Sequence, residues 1–187
     1  MIEIVPYRSS WAEEFQAIGA RIREALGPFA LAIHHIGSTS VPGMPAKDVI
    51  DVQLAVRDLD APIEEALTSI GYELTSYTQD HAPWGLEVSP RDMQKRYYRA
   101  SPGTKTHLHV RSVDRLNCRY SVICRDYLRS HLMAAHAYAE IKQQLAKRFA
   151  DDVDSYYDIK DPVFDVIMSG GFEWAEATGW TLPPSDA

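Results

Sequence analysis

The fold is decided by His34–Val56, HHIGSTSVPGMPAKDVIDVQLAV. An apolar lead-in, Leu31 to Ile33, runs into two histidines and breaks into Gly37-Ser38-Thr39-Ser40. A short loop with Pro42, Gly43 and Pro45 follows, then Lys47, then a second apolar run, Val49 to Val56, that carries Asp51 and Gln53. This is strand, small-residue turn, strand. Glycine and serine let backbone N–H groups approach a ligand closely, and the hydroxyls add donors. Asp51 and Gln53 are two apart on a strand, so both point to one face. The run around them does not alternate strictly, which predicts a strand buried on both faces, between the strand before Gly37 and a later one. A phosphate-friendly turn facing a carboxylate points to metal-assisted phosphate or nucleotide chemistry. Gly-Ser-Thr turns also occur in loops that bind nothing, so the turn gains its weight from the acid after it.

Working outward, Ser10 with Glu13 reads as a capping box, and Trp11, Phe15, Ile18, Ile22 and Leu26 form a helical core stripe ended by Gly27-Pro28. Asp58 and Asp60 lead into a second helix with Pro62 in its first turn and Gly71 as its stop. Tyr72 to Tyr77, Trp84 to Val88, Lys95 to Ala100 and His107 to Val113 read as short strands in antiparallel hairpins. From Leu116 the pattern is helical: Leu116, Tyr120, Ile123 and Tyr127 make one stripe, and Tyr138, Ile141, Leu145 and Phe149 another. Asp161-Pro162 reads as the start of a last helix ending at Gly170-Gly171, with a frayed tail after Trp180. The expectation is one domain over residues 1–175 and a tail over 176–187.

A chain of 187 residues, 45% hydrophobic and 24% charged, suffices for one good-sized core. A formal net charge of −7 argues against broad nucleic-acid binding, while leaving room for a small anion in a local basic pocket. Cys118 and Cys124 are six apart in a helical pattern, on different faces, and are expected to stay unpaired. With no secretory pattern in MIEIVPYRSS and no membrane-length apolar run, this predicts a cytoplasmic protein without a membrane partner.

Other residues could carry chemistry. THLHV places His107 and His109 on one strand face, able to ligate a metal or bind phosphate, or to serve as hydrogen-bonded structural histidines. In QKRYYRA, Lys95, Tyr97 and Arg99 share one face, and Arg96 and Tyr98 the other; one face is expected to supply a phosphate clamp. RDYLRSH, Arg125 to His131, reads as surface charge, as a complement to its own helix dipole, or as an extension of the anion site.

HIGSTSVPGMPAKDVID, KRYYRASPGTKTHLHV, RDYLRSH and YAEIKQQLAKRF, with a later Tyr and Lys, resemble the GrpB family of bacterial proteins over roughly Ile4 to Ile167. That family is similar to the nucleotidyltransferase superfamily, and in some actinobacteria occurs fused to dephospho-CoA kinase. The resemblance implies an α+β fold: a nucleotidyltransferase-like mixed β-sheet, helices packed mainly on one side, and a helical C-terminal part. It implies that Gly37-Ser38 is the superfamily's Gly-Ser pair and Asp51 its first acid. The second acidic position holds Gln53, and the histidine strand stands where a third acid is usual. Asp48 and His131 occupy positions where family members carry Pro. One Asp and one neutral Gln are a poor set for two magnesium ions, and Asp48 falls on the wrong strand face to substitute.

Three readings stay open. In the first, an enzyme transfers a nucleotidyl or phosphoryl group: Gly37, Ser38, Thr39 and Ser40 hold phosphates, Lys47 with Arg96 or Arg99 offsets charge, and Asp51 binds a divalent metal. In the second, the fold is a non-catalytic module for a nucleotide or other phosphate-bearing small molecule, assisting a coenzyme A pathway enzyme. In the third, Asp51, His107 and His109 form a different metal site, suited to zinc, manganese or iron better than magnesium.

Overall fold

A computed structural model describes residues 1–101 and 105–187. Pro102, Gly103 and Thr104, part of the second recognised motif and of the turn signals before the histidine strand, lie outside the described residues.

The chain forms α1 (Ser10–Leu26), β1 (Ala32–Ile36), β2 (Ile50–Val56), α2 (Glu64–Ser69), β3 (Tyr72–Leu74), β4 (Arg96–Ala100), β5 (Thr106–Ser112), α3 (Leu116–Ser130), α4 (Leu132–Arg148) and α5 (Val153–Thr178). The five strands make one mixed sheet in the order β1-β2-β5-β4-β3. β2 and β5 are parallel, and the other neighbours are antiparallel. β2 therefore lies between β1 and β5, as its unbroken apolar run requires: every residue but Asp51 is buried. Alternation sends Val52, Leu54, Leu108, Val110 and Tyr98 into a core with Trp11, Phe15 and Ile22 of α1 and Leu67 of α2. The opposite face carries Asp51, Gln53, His107 and His109. α3 reaches that face through Gln53, whose Nε2 donates to the Cys118 carbonyl at 2.9 Å. α3, α4 and α5 pack on one another around Ile123, Leu128, Tyr138 and Met168.

Several expectations are corrected. The N-cap of α1 is Ser9, so Glu13 falls one place late for a capping box, and Ser10 Oγ donates to Glu14 instead. No strand forms over Trp84 to Val88; Pro83, Gly85 and Pro90 punctuate an irregular segment in which Trp84 is 80% exposed. β3 stops at Leu74, short of Tyr77. Asp161-Pro162 starts nothing: α5 begins after Asp152, whose carboxylate accepts from Ser155 N at 3.0 Å, and Pro162 sits inside it. Apolar anchors on both sides of the proline, Tyr156 before and Ile167 and Met168 after, keep the helix going. Gly170 leaves it intact because its role is close packing: a Cβ there would come 2.7 Å from the Tyr127 hydroxyl. Residues 185–187 are not frayed either. Asp186 N donates to the Ile33 carbonyl at 2.9 Å, fixing them along β1. Among the described residues no helix is long and apolar enough to cross a membrane.

Candidate functional site

The site forms where β1 ends. Antiparallel pairing sets Ile36 opposite Asp51, so the turn that follows folds back over the start of β2. Parallel pairing sets Asp51 beside His107, and β4 sets Arg99 beside His107. The next row holds Gln53, His109 and Tyr97. Directly opposed residues share a face, so these two rows line one wall. In front lies a cleft of about 600 Å³, bounded by the sheet, the Gly37–Thr39 turn, residues 77–81 and helices α3 to α5.

Asp51 Oδ1 lies 3.1 Å from His107 Nδ1 and 3.7 Å from His109 Nε2. Burial pushes the Asp51 carboxyl up, but the hydrogen bonds from His107 and His109 outweigh it and hold the group well below the usual carboxylate range. His107 donates from Nδ1, which leaves its Nε2 outside that bond on a ring that lines the cleft. His109 accepts from Arg111 Nη2 at 3.5 Å through Nδ1, so its proton sits on Nε2, toward Asp51. Burial, opposed by Asp51, pushes His109 down to about 4, so it is neutral at pH 7.

Gln53 does not mimic an acid. Its Oε1 accepts from Arg111 Nη1 at 2.8 Å and from Ser121 Oγ at 2.5 Å, and its Nε2 is held by Cys118. Asp80 completes this network: it accepts from Arg111 Nε at 2.8 Å, Lys95 Nζ at 2.7 Å and Asn117 Nδ2 at 3.0 Å. Magnesium pairing, which needs several carboxylate oxygens, does not fit these residues. Asp51, His107 and His109 stand together but face one another. Among the described residues, no three His, Cys, Asp or Glu side chains are set to grip one ion. An ion on Asp51 would have to displace its hydrogen bond from His107.

The turn is braced from behind. Thr39 and Ser40, expected to face a phosphate, turn inward: Thr39 Oγ1 bonds His35 Nε2 at 3.0 Å, and Ser40 Oγ donates to the Gly37 carbonyl at 2.6 Å. His35 stacks on Phe15, and burial with repulsion from Arg129 pushes it down to about 4. The basic end of α3 is tied to the backbone of the turn. Arg129 donates twice to the Ser40 carbonyl, at 2.8 and 3.0 Å, and Arg125 donates to the His35 carbonyl at 3.1 Å.

The structure brings Gly37, Ser38, Thr39, Lys47, Arg99, Asp51, His107 and His109 to the cleft, although the Thr39 hydroxyl is engaged by His35. It does not bring Arg96, which points with Tyr98 to the other face and is held by the Leu59 and Ala61 carbonyls and Glu64. The opposite wall was missed from sequence. Lys142 of α4, 2% exposed, lines the cleft and donates to the Pro45 carbonyl at 2.8 Å. Lys47 lies 4.6 Å from the Tyr157 ring centre, and Lys160 lies 5.0 Å from it. Lys160 pairs with Asp161, but neither Lys47 nor Lys142 has an ion pair among the described residues. Burial, with repulsion from Lys160 and Lys47 and opposed by Asp51, pushes Lys142 down to about 7. The signal was there: Lys142 sits four residues after Tyr138 and three before Leu145, on the apolar face of its own helix.

A mixed sheet with a Gly-Ser turn closing its first strand and an acid on its second defines a nucleotidyltransferase-like α+β domain. The chain belongs to the GrpB family, whose description, GrpB protein, matches residues 1–169. It is 35% identical to the UPF0157 protein YqkA of Bacillus subtilis, over 92% of this chain and 48% of that protein. It is 32% identical to a protein named dephospho-CoA kinase from Mycolicibacterium paratuberculosis, over 96% of this chain and 48% of that one. The chain thus spans about half the length of these curated relatives. The crystal structure of GrpB from Enterococcus faecalis superposes with a TM-score of 0.78 at 27% identity, covering 93% of this chain and 99% of that one. The GLD-2/RNP-8 complex superposes with a TM-score of 0.51 at 12% identity, covering 96% of this chain and 56% of that one, a likeness of fold.

Proposed function

We propose that the cleft binds a nucleotide or similar phosphate-bearing small molecule, its phosphates held between the Gly37-Ser38 turn and Lys47, Lys142 and Lys160. The observation that carries this reading is Lys142. A buried ammonium with no ion pair of its own is costly, and a cleft that keeps it next to two more lysines suits an anion, with Asp51 only a more distant counter-charge. On the sheet wall, Asp51 orients His107, whose Nε2 is placed to take a proton from a hydroxyl at the ligand's reacting end. This is the arrangement for transfer of a nucleotidyl or phosphoryl group.

A second reading, a binding module without turnover, is favoured by Gln53, an amide locked into the fold where a second acid would serve catalysis. The relatives named dephospho-CoA kinase make coenzyme A precursors natural ligands to try under both readings.

The test is calorimetric titration of ATP and dephospho-CoA into the wild type, Ser38→Ala and Lys142→Met, with turnover followed in parallel. Losing one donor to a charged phosphate is worth roughly 1.5–3 kcal/mol, so Ser38→Ala is expected to weaken binding about tenfold to hundredfold. Undiminished affinity in both variants would sink the reading. Binding without turnover would select the module.

A further inference from the structure

Residues 185–187 lie in a slot between α1 and the outer edge of β1. β1 is an edge strand, and this segment covers its open side. The Ile33 amide donates to Ser185 Oγ at 2.8 Å, and the His35 amide donates to Asp186 Oδ2 at 3.0 Å. From α1, Gln16 donates to the Asp186 carbonyl at 2.9 Å and Arg23 to Ser185 Oγ at 2.8 Å. The slot is shaped for the segment. A Cβ on Gly19 would come within 2.5 Å of the Ala187 Cβ, although alanine is favoured over glycine inside a helix by about 1 kcal/mol.

The segment reaches the cleft through one buried side chain. Arg125 is 3% exposed, and a buried guanidinium needs anions around it. Its Nε donates to Asp126 at 2.8 Å. Its Nη1 is shared between the Asp186 carboxylate and the His35 carbonyl, two residues before Gly37. His34, with no exposed surface, has its Nδ1 3.5 Å from the same carboxylate. Asp186 therefore fixes both the backbone near the end of β1 and the arginine that grips it.

We infer that residues 185–187 are a strap that positions the Gly37–Ser40 turn, and that Asp186 is a positioning residue for the cleft. Where the turn's ligand is concerned, this rests on the proposed function; the effect on the turn itself does not.

Two variants release the strap from opposite sides: Asp186→Ala removes the anion, and Gly19→Ala fills the slot without touching Arg125. Amide hydrogen exchange, read residue by residue by NMR, follows Ser40 and Val41, whose N–H groups bond the Gly37 and Ser38 carbonyls. Both variants are expected to speed exchange there at least tenfold, with Leu108 and Val110 in the core unchanged. Asp186→Glu is expected to restore most of the protection. If the strap is released, shown by faster exchange at Asp186 in Gly19→Ala, and Ser40 and Val41 keep their protection, the inference is overturned. Equal acceleration in the core overturns it too, since that is global loss of stability. ATP affinity, measured alongside, judges the other reading: faster exchange with unaltered affinity upholds the strap and counts against the turn as the phosphate site.

Discussion

The carboxylate of Asp51 occupies the space that a side chain at Gly37 would need. A Cβ on Gly37 would lie 2.9 Å from Asp51 Cγ and closer still to Oδ2. The backbone there has φ 71° and ψ −174°, a region open essentially to glycine alone. Turn and acid are thus one unit, joined by a contact that admits no side chain. Gly37→Ala should cost about 1–3 kcal/mol from the backbone alone and push Asp51 off His107. Thermal melts measure the first effect, and the imidazole NMR signals of His107 and His109 report the second. Unshifted signals with a native melting temperature would show that the turn has slack.

Lys142 gives a prediction with opposite signs for stability and binding. Its folded pKa is about 7, against an ordinary 10.5. The unfolded chain binds more protons than the folded one between these values, so stability rises with pH across that window. Lys142→Met should be more stable than the wild type at pH 7, by about 1–4 kcal/mol, with the difference fading toward pH 10.5. Binding of an anion restores the proton. Affinity for metal-free ATP should therefore fall from pH 7 to pH 9 by up to about tenfold per unit in the wild type, and stay flat in Lys142→Met. Parallel pH dependence in both proteins would remove Lys142 from the site.

Any ion at Asp51 must first displace its hydrogen bond from His107, and its preference then follows from the donor set. One carboxylate with two imidazoles suits zinc or manganese, whereas magnesium seeks more oxygen. Titration with each ion, monitored on the His107 and His109 signals, should give binding at least tenfold tighter for zinc than for magnesium. Asp51→Ala and His109→Ala should each weaken it. Full zinc affinity in both variants places that ion elsewhere.

The Asp80–Arg111 pair holds the sheet wall. Arg111 is 5% exposed, and Asp80 takes two of its N–H groups. Asp80→Ala strands a buried guanidinium and should cost about 3–5 kcal/mol in denaturant unfolding. Burial raises the Asp80 pKa, but Arg111 and Lys95 outweigh it and depress the pKa in the folded state. Its contribution is therefore complete above the unfolded value, about 4, and is lost as pH falls through the lower folded value. Below about pH 4 the wild type should lose stability faster than Asp80→Ala. Equal acid sensitivity would mean the pair is not formed.

Sequence by itself determined the strand-turn-strand around Gly37, the apolar stripes of α1, α3 and α4, and the placing of Asp51 between β1 and the histidine strand. These are local matters of period, small residues and unbroken hydrophobic runs. Tertiary structure decided the rest. Whether Arg96 or Arg99 faced the cleft depended on which face of β4 met α2 and the segment before it, and alternation alone is blind to that. Thr39 and Ser40 looked like ligand donors until Arg129 and His35, from other elements, turned the loop inward. The helix through Pro162 persisted because residues on both sides of the proline found partners far away in sequence. Lys142 showed itself only as a charge on an apolar stripe; its meaning came when α4 and α5 brought it beside Lys47 and Lys160. Long-range packing sets which face is buried and which charges become neighbours, and no window of sequence contains that information.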